Sequence, residues 1–184
     1  MTANKNSQPA PSPIWHLAGT PNEQALSRME IGMERLMHAY YRWKVSCLAT
    51  VGDFGLTGDD ITIVNIIRKD DQPKKLSEVA RILNRADTAN MQYAIRKLMK
   101  AGLIEKLNET SRKDTAYQVT ARGVDVTDTY AAMRRELVAQ RLGDAVDPAA
   151  LVDAQATLDG LIGLYEQGAM RASAITAGFA DVAE

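Results

Sequence analysis

Cysteine is nearly absent from this 184-residue chain: Cys47 stands alone, and His16 and His38 are the only histidines. One thiol closes no internal disulfide, and one cysteine with two distant histidines cannot supply the four ligands of a structural zinc site. A disulfide scaffold and a structural metal are therefore excluded. No apolar run reaches the ~18 residues that a membrane span needs. The opening Met-Thr-Ala-Asn-Lys-Asn-Ser-Gln-Pro-Ala has no apolar signal core, so the expected compartment is the cytoplasm. Glycine-rich phosphate loops, metal-ligand clusters and a Ser/His/Asp order are also missing, and neither histidine neighbours paired carboxylates. No enzymatic activity and no cofactor are expected. Asp59-Asp60 and Asp70-Asp71 read as helix caps and loop charges.

What the chain does have is the balance of a globular protein, 46% hydrophobic and 24% charged residues, enough for a core in one compact unit with arms. The formal net charge of -1 conceals a strong asymmetry. Residues 68–113 carry 12 basic and 6 acidic side chains, whereas residues 142–184 carry 1 and 7. A short basic module inside an acidic protein is the footprint of one face that meets a polyanion. The plain alternative is an ion-paired, solvated surface, so the residue pattern has to decide.

Residues 1–13 hold Pro9, Pro11 and Pro13 among Asn, Ser and Gln and read as a tail. The patch Ile14-Trp15-His16-Leu17 suits packing onto another surface, such as a second subunit. Apolar residues from Leu26 through Met33, Met37, Tyr40 and Trp43 to Leu48 recur at helical spacing, which predicts one long helix over 23–51. After Gly52, Gly55 and Gly58, either Thr57 or Asp59 can cap a second helix carrying Ile61, Ile63, Val64, Ile66 and Ile67. Ser77 is the expected N-cap of a two-turn helix, Asn84-Arg85-Ala86 a tight turn, and Asp87 the N-cap of a longer helix with Met91, Ile95, Leu98 and Met99 inward, stopping at Gly102. Two short helices joined by a tight turn, the second longer and basic, have helix-turn-helix spacing. Alternation in 103–107 and 115–120 predicts a β-hairpin whose basic tip holds Arg112 and Lys113. A helix after Gly123 runs to Gly143, Asp147-Pro148 starts another, and residues beyond 170 are expected to fray.

If Met91, Ile95 and Leu98 face inward, the opposite face of that basic helix holds Ala89, Tyr93, Arg96 and Lys100, flanked by Asn90, Gln92 and Lys97. Amide, phenol and guanidinium groups suit base edges in a major groove. Lys97 and Lys100 suit phosphates, as do Lys74, Lys75 and the Ser77 cap region, and Arg112 and Lys113 suit the minor groove or backbone.

The order of elements, with Leu76-Ser77-Glu78-Val79-Ala80, Leu98-Met99-Lys100-Ala101-Gly102-Leu103-Ile104 and Val119-Thr120-Ala121-Arg122-Gly123, resembles the MarR family of bacterial winged-helix repressors over residues 26–168. The middle run resembles that family's L-x-x-x-G-L-I junction and the last its L-T-x-x-G entry to the dimer helix. One departure is that Ser111-Arg112-Lys113 stands where the family commonly carries Asp-x-Arg or Asp-Arg-Arg, so the carboxylate expected to brace the wing arginine is missing there, and Asp114 is the candidate substitute in a shifted register. The resemblance implies a mainly α fold with a small β-hairpin wing. It also implies a division into a tail and arm (1–22), a dimerisation helix (23–52), a winged helix-turn-helix domain (56–122), dimerisation helices (123–170) and a flexible tail (171–184). The expected partners are double-stranded DNA with a pseudo-palindromic operator and a second copy of the chain. A small aromatic or apolar acid effector is also implied, with His38, Tyr41 and Arg42 beside Tyr40 and Trp43 as candidate lining. A Met and aromatic stripe at this spacing is more often helix core than ligand lining. Two further readings are a protein-interaction dimer without specific DNA binding and a redox sensor working through Cys47.

Overall fold

The computed structural model describes residues 15–52, 54–107 and 115–180, the last four as backbone only. The order is α1 (Pro21–Val51), α2 (Gly58–Arg68), β1 (Lys74–Lys75), α3 (Leu76–Ile82), α4 (Thr88–Lys100), β2 (Ile104–Lys106), β3 (Ala116–Val119), α5 (Ala121–Leu137), α6 (Leu142–Ala145) and α7 (Pro148–Ala180). The mainly α architecture with a small antiparallel sheet is as expected. The chain divides into one unit through Tyr130 and a second from Ala131.

In the first unit α2 is the hub. Ile61, Ile63, Val64 and Ile67 are each 1% exposed or less, so the helix is apolar on nearly all sides and must be surrounded. It packs on α1, α3, α4 and β3. Its start is fixed by a capping box in which Thr57 and Asp60 satisfy each other's backbone N–H groups. Its end is tied to α5 by Arg68, which donates to the Val124 carbonyl at 3.1 Å and the Thr127 hydroxyl at 2.6 Å and pairs with Asp128 at 2.7 Å. In α4 the buried residues are Met91, Ala94, Ile95 and Leu98, the i, i+3, i+4, i+7 set, with Met99 only half-buried.

The two motif runs have direct physical explanations. After α4, Gly102 adopts φ +70°, its N–H donates to the Met99 carbonyl, and the Leu103 N–H reaches back to Leu98 at 3.0 Å. This is a Schellman turn, closed by burial of Leu103. At the start of α5, the Thr120 hydroxyl accepts from the Gly123 N–H at 3.1 Å and donates to the Gly102 carbonyl at 2.6 Å. Gly123 lies so close to β2 that a Cβ there would overlap the Leu103 carbonyl.

Several boundaries differ from the sequence expectation. α1 begins at Pro21, capped by Thr20 with Glu23. α3 begins at Leu76, with Lys75 in the cap position and its N–H donating to Glu78 at 2.7 Å. Ser77 is therefore the second residue of the helix rather than its cap. Asp87 does hold the N-cap position of α4, yet its carboxylate makes no capping bond. The sheet has a third strand: β3 lies between β1 and β2, pairing Lys75 with Ala116 on one side and Glu105 with Gln118 on the other.

In the second unit, α5 gives way after Leu137 to a 3₁₀ turn at Ala139–Arg141 and the short α6, so the helix ends six residues short of Gly143. Asp147 accepts from the Ala149 N–H at 3.0 Å as α7 begins at Pro148. The stretch expected to fray after residue 170 is helical to Ala180. Among the described residues no helix is long and apolar enough to cross a membrane.

The Gly123 contact is testable. Overpacking against backbone costs about 3 kcal/mol, against the ~1 kcal/mol that alanine gains over glycine within a helix. Gly123→Ala is expected to lose about 2 kcal/mol on these terms, read as a lower urea midpoint at unchanged slope. A midpoint at or above that of the parent chain contradicts this reading.

Candidate nucleic-acid interface

α4 carries the candidate surface because one face is consumed by the core and the other is left to solvent. Asn90, Gln92, Tyr93, Arg96 and Lys100 are all exposed, Tyr93 at 60%. The Arg96 guanidinium stands 6.0 Å from the centre of the Tyr93 ring, within reach of a weak cation–π contact. Gln92 and Arg96 line a groove of about 250 Å³ between α4 and the sheet, whose far wall is Lys106, Thr115 and Tyr117. The wing joins this surface through β2 and β3. Arg112 and Lys113, expected at its tip, lie outside the described residues, as does the Ser111–Asp114 departure from the family pattern.

Of the residues expected at phosphates, Lys74 and Lys97 are engaged within the domain and Ser77 is not a cap. Lys74 is buried at 7% and its ammonium donates to the carbonyls of Gln72 at 2.9 Å, Ile67 at 3.5 Å and Lys69. That ammonium closes a turn in which Asp70 and Asp71 both have positive φ, so its hydrogen bonds are spent on the domain's own backbone. Lys97 is partly buried, with its Nζ 2.6 Å from the Asp60 carboxylate, which is itself only 4% exposed. Ser77 remains exposed on α3, but without the capping role that placed it at a phosphate. Lys75 is exposed too.

The start of α4 is set by side chains. Arg85 Nε donates to Asp87 Oδ1 at 2.8 Å, and its Nη2 donates to the other oxygen. Asn90 also hydrogen-bonds Asp87, which draws one candidate base-reading amide partly into holding the helix end. The Arg85 guanidinium holds the Asp87 carboxyl well below the usual range, at about 2.

Sequence reasoning missed Arg122 and Phe54. The Arg122 guanidinium lies 4.8 Å from the Phe54 ring centre and donates to the Ala101 carbonyl at 3.1 Å, a favourable place for a cation at a helix C-terminus. With Tyr93, Lys97 and Lys100 they line a depression of about 410 Å³. Only Arg122's place in the Thr-x-x-Gly run offered a signal, and Phe54 offered none.

The candidate effector residues divide between two faces of α1. His38 and Arg42 line an open groove with Arg35 and Leu36. Tyr41 packs instead on Gly58, with the Lys44 ammonium 5.7 Å from its ring centre, and Trp43 pairs with Tyr130 at 6.5 Å. Lys44 is buried among them, its ammonium 3.0 Å from the Thr62 hydroxyl and 4.6 Å from the Tyr40 ring centre. Burial pushes its pKa down, and Asp59 offsets part of that shift. Cys47 is 3% exposed, and burial pushes its thiol pKa up, the opposite of what a peroxide-reactive thiolate needs. Among the described residues no cluster of three His, Cys, Asp or Glu side chains gathers.

Comparison with known proteins agrees with this geometry. Residues 56–123 match the winged helix DNA-binding domain family. In three dimensions the chain is similar to RV1404 from Mycobacterium tuberculosis, at 24% identity and a TM-score of 0.51, covering 74% of this chain and 92% of that one. It is similar to Staphylococcus aureus MarR solved with salicylate and kanamycin, at 12% identity and a TM-score of 0.63, covering 79% and 95%. The fold is that of the MarR regulators. AbsC of Streptomyces coelicolor, a MarR family transcriptional regulator, is likewise similar at 19% identity and a TM-score of 0.56, covering 80% and 96%. No curated protein sequence matches the chain significantly. Within the winged helix, α4 occupies the position of the second helix of the helix-turn-helix and β2–β3 that of the wing.

Two measurements check this description. Asp87 ionises with a depressed pKa, so the stability it lends is present above the ordinary carboxylate value and is lost only as pH falls through about 2. Its NMR titration midpoint should return toward ~3.9 in Arg85→Met, and an unchanged midpoint would remove Arg85 as the cause. Cys47 should react slowly with a thiol reagent at neutral pH in the folded chain and fully in urea. Rapid labelling of the native protein would reinstate the redox reading.

Proposed function

We propose that this chain is a transcriptional regulator of the MarR type that reads double-stranded DNA as a homodimer and acts in the cytoplasm as a repressor released by a small aromatic or apolar acid. The observation that carries the reading is the recognition helix. One face of α4 is locked into the core, while the opposite face presents Gln92, Tyr93, Arg96 and Lys100 in a winged-helix frame. Arg96 suits bidentate pairing with guanine and Gln92 with adenine. Lys100, at the basic end of the helix, suits a phosphate, and Arg112 and Lys113 extend the contact through the wing.

One recognition helix reads too few base pairs and neutralises too few phosphates for tight specific binding, so two half-sites one DNA turn apart on a pseudo-palindromic operator are required. Dimerisation is supported by apolar side chains exposed on α1, including Leu36, Met37 and Tyr40, and on α7, including Val152, Leu164 and Met170. The effector would meet α1 at the groove of His38 and Arg42, where the Arg42 guanidinium and an imidazole N–H suit a carboxylate. It would act by favouring a dimer whose half-site spacing mismatches the operator. A structure of Staphylococcus aureus MepR with DNA, covering 73% of this chain at a TM-score of 0.57, lends the DNA reading further support.

The test is fluorescence-anisotropy titration against a duplex covering the promoter of the chain's own gene and against random duplex, at two salt concentrations. Arg96→Ala should weaken promoter binding by about 1–3 kcal/mol and relax selectivity. Lys100→Ala should lower affinity for both duplexes alike and flatten the log–log salt slope by about 0.9. Equal, weak and salt-insensitive binding to both duplexes would sink the DNA reading and leave a protein-interaction dimer.

A further inference from the structure

Resting on the DNA-binding reading above, the geometry points to Asp60 as a positioning residue for DNA recognition: it withdraws the Lys97 ammonium from the DNA-reading face and fixes the roll of α4 against α2. Asp60 Oδ2 accepts from the Thr57 N–H at 2.7 Å, from the Thr57 hydroxyl at 2.9 Å and from Lys97 Nζ at 2.6 Å. The carboxylate is 4% exposed and the lysine side chain 22%. These partners lie 37 residues apart in sequence and join the first turn of α2 to the last turn of α4.

α2 packs on α4, and both helices bury aliphatic side chains, Ile61 and Val64 on α2 and Met91, Ile95 and Leu98 on α4. Aliphatic surfaces tolerate small rolls and repacking. A buried, hydrogen-bonded ion pair does not, because moving either partner leaves a charge without solvent or counter-charge. The anchor also continues outward. Lys97 Nζ stands 5.8 Å from the Tyr93 ring centre, and the Arg96 guanidinium stands 6.0 Å from the same ring. One line of contacts thus runs from the carboxylate fixed in the α2 capping box to the two exposed side chains that read bases.

Asp59, the neighbouring acid, is a weaker candidate for the same task. It stands 3.8 Å from Lys44 and 4.0 Å from Arg85, with 60% of its side chain exposed. Pairs of that length and exposure contribute little. The distance and burial of the two acids assign the work to Asp60.

Asp60→Asn preserves shape and the ability to accept from Thr57 while releasing Lys97 to solvent. Its expected signature is a promoter-over-random selectivity at least tenfold below the parent chain. The salt slope on random duplex should steepen by up to about 0.9, as one more ammonium becomes available to phosphate. Lys97→Met should lower the melting temperature more than the Asp60→Asn/Lys97→Met double variant does, because only the single change leaves a buried carboxylate unpaired. The double variant should keep the parent's salt slope, and should Asp60→Asn fold poorly, the double variant's own loss of selectivity carries the test. Parental selectivity in both variants overturns the positioning role. So does a salt slope that falls by about 0.9 in Lys97→Met, which would put Lys97 on a phosphate. A parent chain with no preference for promoter duplex overturns the functional reading itself, and the positioning role with it.

Discussion

The backbone junction where α4, β2 and α5 meet constrains everything else in the first unit. Gly102 turns the chain with positive φ, Leu103 is buried beneath it, and Gly123 rests against the Leu103 carbonyl where no side chain fits. Thr120 closes the junction by donating to Gly102 and accepting from Gly123. The end of the recognition helix, the root of the wing and the start of α5 therefore share one set of hydrogen bonds. A shift in any of them must break a partly buried bond, which costs more than a rearrangement of exposed side chains. The direction of α4 and that of the wing are in this sense a single property.

Around that junction the polar residues divide by burial. Lys74 and Lys97, both basic and both adjacent to the surface expected to meet a polyanion, have their charges engaged inside the domain. Lys100 and Arg96 remain exposed. The basic surplus of residues 68–113 is thus partly structural. The charge count alone overstates what is available to DNA, because a cation already matched to a buried acceptor releases no counterions when a phosphate approaches.

The sequence made the architecture readable where the signal was periodic or local. The 3.6-residue spacing of Met91, Ile95 and Leu98 assigned the buried face of α4. Gly102-Leu103-Ile104 marked the end of that helix, and Thr120 to Gly123 the next start. Partnerships across long separations were not readable. Nothing near Asp60 names Lys97, 37 residues away, and periodicity assigns a face without choosing what lies against it. β1 was missed because two lysines have little strand propensity of their own and are extended only because β3 offers an edge. Ser77 was misread as a cap because the cap lies two positions earlier at Lys75, whose N–H donates to Glu78, the third residue of the helix.

The contrast between α1 and α2 shows where the first unit's stability lies. α2 has 11 residues and buries six of them, whereas α1 has 31 and buries four, two of which are Ser27 and Lys44. A helix of that length with so little buried apolar surface is weakly held by its own chain, since helices in water depend on packing more than on propensity. Lys44 sharpens the point. It is one of the few buried residues of α1, it is a cation with a lowered pKa, and its contacts run to Thr62 and Asp59 at the start of α2. Asp60, the next residue, holds Lys97 of α4. The first turn of α2 is therefore the place where α1, the helix proposed to dimerise and bind effector, and α4, the helix proposed to read DNA, are held by adjacent side chains. A change in how α1 is packed reaches α4 most directly through that turn.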